Sequence, residues 1–193
     1  MKRKNSIFKK IKIDRYAVDM EAREQINIFG RNLPLVKNVV DLVQQDTQIL
    51  IFPRHLGCSL TKHLVAEILR LEVKYKTAFP ITFVCHGSVD YSDRFWQSWS
   101  PKARVVFDTD LTIAKSFGLK EGTLRHALDI KTMYCSFKAI AAGHPTDVDK
   151  SSKVFMLPGI FIYRDGQEVF KHIARTAGDM PDFENLVLSH IKF

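Results

Sequence analysis

Apolar residues recur along this chain with two periods, one helical and one strand-like, and their alternation predicts its architecture. Between Pro34 and Gln45, Leu35, Val36, Val39, Val40 and Val43 follow helical spacing, with Pro34 tolerated in a first turn. Gln48-Ile49-Leu50-Ile51-Phe52 is an apolar run of strand length that Pro53 ends. A long helix is expected from Cys58, because Leu60, Leu64, Ile68, Leu71 and Tyr75 are three or four apart and share one face. Pro80 and Gly87 bracket a second strand, Ile81 to Cys85, and residues 89–99 read as a polar-aromatic helix. A third strand, Ala103 to Phe107, runs into Asp108-Thr109-Asp110, whose side chains can cap a helix leading to Phe117-Gly118. Residues 121–142 carry a helical but ambiguous pattern, and 143–153 form a polar loop. Gly159 to Tyr163, the turn Arg164-Asp165-Gly166-Gln167, and Glu168 to Ala174 read as a β-hairpin, with a closing helix after Pro181.

Helices alternating with strands, then a hairpin and a last helix, predict a mixed α/β sheet flanked by helices. Its first strands should be parallel and its last two antiparallel. Ile49–Phe52 and Ile81–Cys85 should be parallel neighbours joined by the long helix. The thioredoxin-type arrangement has this order, and several other α/β folds would also fit the pattern alone. We divide the chain into a basic N-terminal arm or extension, residues 1–30, and one domain over residues 31–193.

The chain has 193 residues and a formal net charge of +8. Residues 1–15 hold seven Lys and Arg against Asp14 alone, so +6 of that charge belongs to the arm and the rest is nearly balanced. A basic arm attracts nucleic acid or acidic membrane, but a solvated tail is the commoner outcome. Neither partner is expected here. Lysines interrupt the apolar residues near the N-terminus, unlike a secretory signal, and no run approaches the ~20 apolar residues of a membrane span. Three cysteines without framework spacing argue against a disulfide-stapled secreted domain, which makes the cytoplasm the expected compartment. His55-x-x-Cys58 and Cys85-His86 lack the paired spacing of structural zinc sites, and no phosphate loop or dinucleotide fingerprint occurs, so neither metal nor cofactor is expected.

Cys58 follows Gly57 at the junction of the first central strand and its helix, on the edge where α/β folds place their sites. Unpaired N–H groups and the positive end of the helix dipole favour an anionic sulfur at such a place, and Arg54 could fold back over the turn to reinforce them. The other reading of Cys58 is a small apolar filler. Cys85 ends the second strand on the same edge, as a resolving thiol or a buried strand cysteine. Cys135 reads as structural. Arg175, near the end of the last strand, points either to the pocket or to solvent.

The segment Phe52-Pro53-Arg54-His55-Leu56-Gly57-Cys58-Ser59-Leu60-Thr61 resembles the Phe-x-Arg-x-x-Gly-Cys-x-x-Cys motif of peroxiredoxin-like-2 and AhpC/TSA-related redox proteins, of the thioredoxin-like superfamily. Val105 to Asp108 with Phe117-Gly118-Leu119, Leu157 to Phe161 with Asp165-Gly166, and His172 to Asp179 resemble further segments of those proteins in the same order. The resemblance implies a thioredoxin-like fold and a thiol-dependent, antioxidant-type oxidoreductase. Cys58, Arg54 and Arg175 would be catalytic, Cys85 resolving, and Gly57, Pro158, Thr61 and His55 would support the geometry. It implies a peroxide or disulfide substrate, an external thiol reductant, and a cis Pro158 against the Cys58 turn. Two departures stand out. Thr61 replaces the second cysteine, so no disulfide can form within this helix. His55 occupies the position where typical peroxiredoxins carry threonine. A domain that keeps the fold as a binding module without catalysis is the competing expectation. For the enzyme, Cys58 should sit at a helix N-terminus within reach of solvent, with Arg54 or Arg175 near its sulfur.

Overall fold

A computed structural model describes residues 23, 25–33, 36–44, 46–127, 129–147 and 153–191. The basic residues 1–22 lie outside that set. The hydrophobic pattern resolves into a six-stranded sheet: β1 (Gly30–Arg31), β2 (Thr47–Phe52), β3 (Ile81–Cys85), β4 (Arg104–Phe107), β5 (Gly159–Arg164) and β6 (Gln167–Ile173). Its spatial order is β1-β4-β3-β2-β5-β6. Strands β2, β3 and β4 are parallel, with Ile49 opposite Ile81 and Cys85 opposite Phe107, while β1, β5 and β6 are antiparallel to their neighbours. The mixed sheet, with β2 and β3 parallel neighbours, β4 parallel beside them and an antiparallel closing hairpin, is the arrangement the sequence predicts, and β1 adds an antiparallel edge.

Alternation within the strands divides the core into two layers. Ile49, Ile51, Ile81, Phe83, Ile160 and Ile162 face α2 (Ser59–Tyr75), α3 (Val89–Trp99) and α7 (Phe183–His190). Leu50, Phe52, Val84, Val106, Phe161 and Tyr163 face α1 (Val39–Val43) and α4 (Thr112–Ser116). Leu64, Ile68 and Leu71 of α2 bury as their spacing predicts, joined by Val65. Asp165 and Gly166 both adopt positive φ, 50° and 75°, which gives the two-residue turn the mirror-image twist that hairpin strands need.

Two boundaries and one peptide-bond isomer differ from expectation. Helix α1 starts late because Asn38 caps it, its side chain accepting from the Asp41 N–H. The ambiguous stretch is two helices, α5 (Leu124–Ala127) and α6 (Ile130–Ala141), the second capped by Asp129. Pro158 is trans, not cis. The ordinary isomer serves because it leads the chain straight into β5, with the Pro158 carbonyl accepting from the Ala174 N–H at 3.0 Å.

Residues of the extension also enter the fold. The Arg23 guanidinium lies 4.0 Å from the Phe117 ring centroid and donates to the Tyr163 hydroxyl (3.1 Å) and the Ser116 carbonyl (3.0 Å). Burial pushes the Tyr163 phenol up, with the arginine beside it opposing. Removing a buried, hydrogen-bonded cation strands these acceptors, so Arg23→Ala should cost about 2–3 kcal/mol. Thermal denaturation should register this as a fall of roughly 5–10 °C in Tm. A change within 1 °C would mean that Arg23 contributes nothing to the fold. Among the described residues, no helix is long and apolar enough to cross a membrane.

Candidate functional site around Cys58

Strand β2 ends at Phe52, and Pro53 to Gly57 turn the chain into α2, whose N-cap residue is Cys58. Its N–H donates to the His55 carbonyl (3.0 Å) and its carbonyl accepts from the Lys62 N–H (3.0 Å). The turn folds Arg54 back over the cysteine, so that Nη1 stands 3.3 Å from Sγ while Nη2 donates to the Val154 carbonyl (2.7 Å). Arg54, His55 and Thr61 are all buried. Positive charge and a helix N-terminus therefore converge on the sulfur.

Solvent does not reach it. Cys58 is only 3% exposed, against the expectation of an accessible thiol. A strap from the loop after α6 crosses the turn on both sides of the cysteine. The Asp147 N–H donates to the Gly57 carbonyl (2.9 Å), and the Thr146 hydroxyl accepts from the Ser59 N–H (3.3 Å) at the start of α2. Lys62 Nζ donates to the Pro145 carbonyl (2.7 Å) and pairs with the Asp147 carboxylate (3.2 Å), which also accepts from the Tyr91 hydroxyl (2.7 Å). A Cβ on Gly57 would lie 2.2 Å from the Asp147 carbonyl oxygen, so the strap approaches as closely as it does only because residue 57 is glycine. The sequence names Gly57 as a turn residue. It carries no local signal for Lys62, Tyr91, Thr146 and Asp147, because their contacts join distant segments.

Cys85 lies on the same sheet edge, but its side chain belongs to the core under α2 and α3. Burial pushes its thiol up to about 12, outweighing the opposing influence of Trp96 and Ser92. Such a thiol stays protonated near neutrality and is a poor attacker. Asp108 accepts from the Ile113 N–H (3.0 Å) and the Ala114 N–H (2.8 Å), so this buried acid caps α4. Arg175, expected as a catalytic candidate, is 89% exposed. Its Nε and backbone N–H both donate to Asp179, at 3.2 and 3.0 Å, and that acid four residues on holds it at the surface while Arg54 takes the place beside the sulfur. Cys135 is half-buried on α6. A cavity of about 880 Å³ is lined by Val65, Ile68, Trp96, Trp99 and Arg104 among others, and neither Arg54 nor Cys58 lines it.

No family profile matches the sequence, and no curated protein sequence does. Solved structures do resemble the fold. A thioredoxin-like protein from Aeropyrum pernix is 12% identical over 94% of this chain and 98% of its own, with a TM-score of 0.50. The bacterioferritin comigratory protein of Xanthomonas campestris is 14% identical over 86% of this chain and 91% of its own, with a TM-score of 0.49. A peroxiredoxin-like protein from Aquifex aeolicus is also 14% identical, over 85% of this chain and 80% of its own, at 0.49. At such identities the likeness speaks to the fold and not to the chemistry. The element order, the mixed sheet and the Aeropyrum likeness together make this a thioredoxin-like α/β fold.

Proposed function

We propose that this chain is a thiol-dependent redox protein that uses Cys58 as its single reacting cysteine and takes a small peroxide as oxidant. The observation that carries the reading is the 3.3 Å approach of the Arg54 guanidinium to Cys58 Sγ at the N-terminus of a 17-residue helix. The sulfur attacks the nearer peroxide oxygen, an S–O bond forms, and the O–O bond breaks. The departing oxygen leaves as an alcohol, or as water from hydrogen peroxide, once protonated, and Cys58 becomes a sulfenic acid. An external thiol condenses with it, releasing water and leaving a mixed disulfide, and a second thiol restores Cys58. Thr61 cannot resolve the sulfenic acid, and the high pKa and core position of Cys85 argue against that role for it. A sulfur 3% exposed favours a small peroxide over a protein disulfide. The reading takes residues 31–193 as the redox domain and residues 1–30 as its extension, and it places the protein in the reducing cytoplasm, where external thiol is plentiful.

Burial of Cys58 favours a second reading, a thioredoxin-fold binding module without catalysis. One experiment separates the two. After brief exposure to hydrogen peroxide, sulfenic acids are trapped with dimedone and mapped by mass spectrometry, with Cys58→Ser as control. Cys58 should be modified at least about tenfold faster than Cys85 and Cys135, a ratio worth ~1.4 kcal/mol of barrier. If all three cysteines react alike, no special site exists and the binding module replaces the enzyme.

A further inference from the structure

Helix α6 buries its polar and small side and exposes its apolar one. Thr132 and Ala139 are buried, and the Thr132 hydroxyl accepts from the Gly178 N–H at 2.8 Å. Ile130, Met133, Tyr134, Phe137 and Ile140 all face solvent, Ile130 at 85% and Phe137 at 71% exposure. At ~100° per residue these five occupy an arc of about 120° opposite the buried seam. The usual pattern places the apolar stripe toward the core. Here nothing within the described residues covers it.

We propose that this stripe is a homodimer interface, its occupant the same helix of a second copy running antiparallel. Two observations choose that occupant. The first is symmetry. Positions 130, 133, 137 and 140 are symmetric about 135, so a two-fold axis near the middle of the helix sets Ile130 against Ile140 of the second copy and Met133 against its Phe137. A self-complementary patch is what a two-fold interface requires. The second is size. The exposed surface of the five side chains is on the order of 700 Å², close to the roughly 800 Å² per partner of a standard interface. Fully burying such a side chain is worth about 1.5–3 kcal/mol before the costs of association.

Charge gives the pairing a signature. Lys131 and Lys138 flank the same side of the stripe, the first paired with Asp179 (3.4 Å) and the second 5.7 Å from the Tyr134 ring centroid. In the antiparallel pair this flank meets its own copy, so four lysines gather along one edge. Added salt screens that repulsion, and the dimer should tighten by about two- to fivefold between 50 and 500 mM.

Sedimentation velocity between about 1 and 100 µM tests the proposal, since an interface of this size supports micromolar affinity. The wild-type protein should pass from monomer to dimer across that range. Phe137→Glu and Ile130→Glu, both at solvent-facing positions, should each weaken association more than tenfold with an unchanged circular dichroism spectrum. Val73→Glu, at an exposed site on α2, should leave it intact. In a Cys135→Ser background, Tyr134→Cys should cross-link to its twin with a short bis-maleimide. A wild-type protein still monomeric at 100 µM would overturn the proposal. So would association that survives both stripe variants, or a monomer that instead binds phosphatidylserine vesicles more weakly as salt rises.

Discussion

Gly57→Ala is expected to raise the rate of Cys58 alkylation by iodoacetamide at least about tenfold while leaving the fold in place. The glycine does not hold a left-handed conformation, so the backbone itself accepts alanine. What it cannot accept is Asp147, whose carbonyl oxygen would lie 2.2 Å and whose Oδ1 2.3 Å from the new methyl group. The 2.9 Å bond from the Asp147 N–H to the Gly57 carbonyl must then lengthen, and the Lys62 and Tyr91 contacts go with it. Asp147 and its neighbours Pro145 and Thr146 are exposed, so displacing them opens little core. Tenfold corresponds to ~1.4 kcal/mol, a modest demand on a steric conflict of this size. Asp147→Ala provides the milder comparison. It removes the carboxylate contacts and keeps the backbone bond, and it should accelerate labelling by a smaller factor, since its ion pair is half solvated. Labelling is read by mass spectrometry at Cys58, with Cys85 as the internal reference, because that thiol stays buried and protonated in both proteins. Equal rates in the wild type and Gly57→Ala would mean that the strap does not control access to the sulfur.

What the sequence reveals of this site stops where contacts become distant. Strand β3 is legible from the short, mostly apolar run between Pro80 and Gly87, a pattern carried by local composition, and the hairpin from Asp165-Gly166, a turn whose residues touch locally. The Arg54–Cys58 contact is legible for the same reason: one tight turn joins residues four apart. Gly57 and Asp147 are ninety residues apart, and nothing in a polar loop says which helix it will cross. Burial of Cys58 likewise depends on packing between distant segments and is hidden with that crossing. Arg175, left open between pocket and solvent, is a different case. Asp179 stands four residues on and claims the guanidinium, but the pair lies in a turn after β6 and not on a helix, so spacing alone gives no signal for it. Helix α6 marks a third limit. The sequence pattern over residues 121–142 is helical but ambiguous, and no periodicity says whether an apolar face turns inward. Here it turns outward, and the small residues make the inner seam.

Arg54→Met is expected to slow the reaction of Cys58 with hydrogen peroxide on the order of 10²-fold, with Arg54→Lys recovering part of the loss. Methionine keeps much of the length and the apolar stem but removes the cation in contact with Sγ. During attack, negative charge moves from sulfur to the departing oxygen inside a site that excludes water. A fixed cation there is worth far more than it would be in solvent. Lysine restores the charge without the planar fork that lets one guanidinium reach Sγ and the Val154 carbonyl together, so its rescue should be partial. That second bond complicates the single variant, since losing it could shift residue 154 and alter access as well as chemistry. Combining Arg54→Met with Gly57→Ala separates the two effects. In the opened background, access no longer limits the rate, and the remaining difference between arginine and methionine reports the sulfur chemistry alone. Independent effects multiply, so the double variant should retain the same ~10²-fold deficit relative to Gly57→Ala that Arg54→Met shows relative to the wild type. A deficit that disappears once the strap is displaced would assign Arg54 to holding the loop and remove it from the reaction.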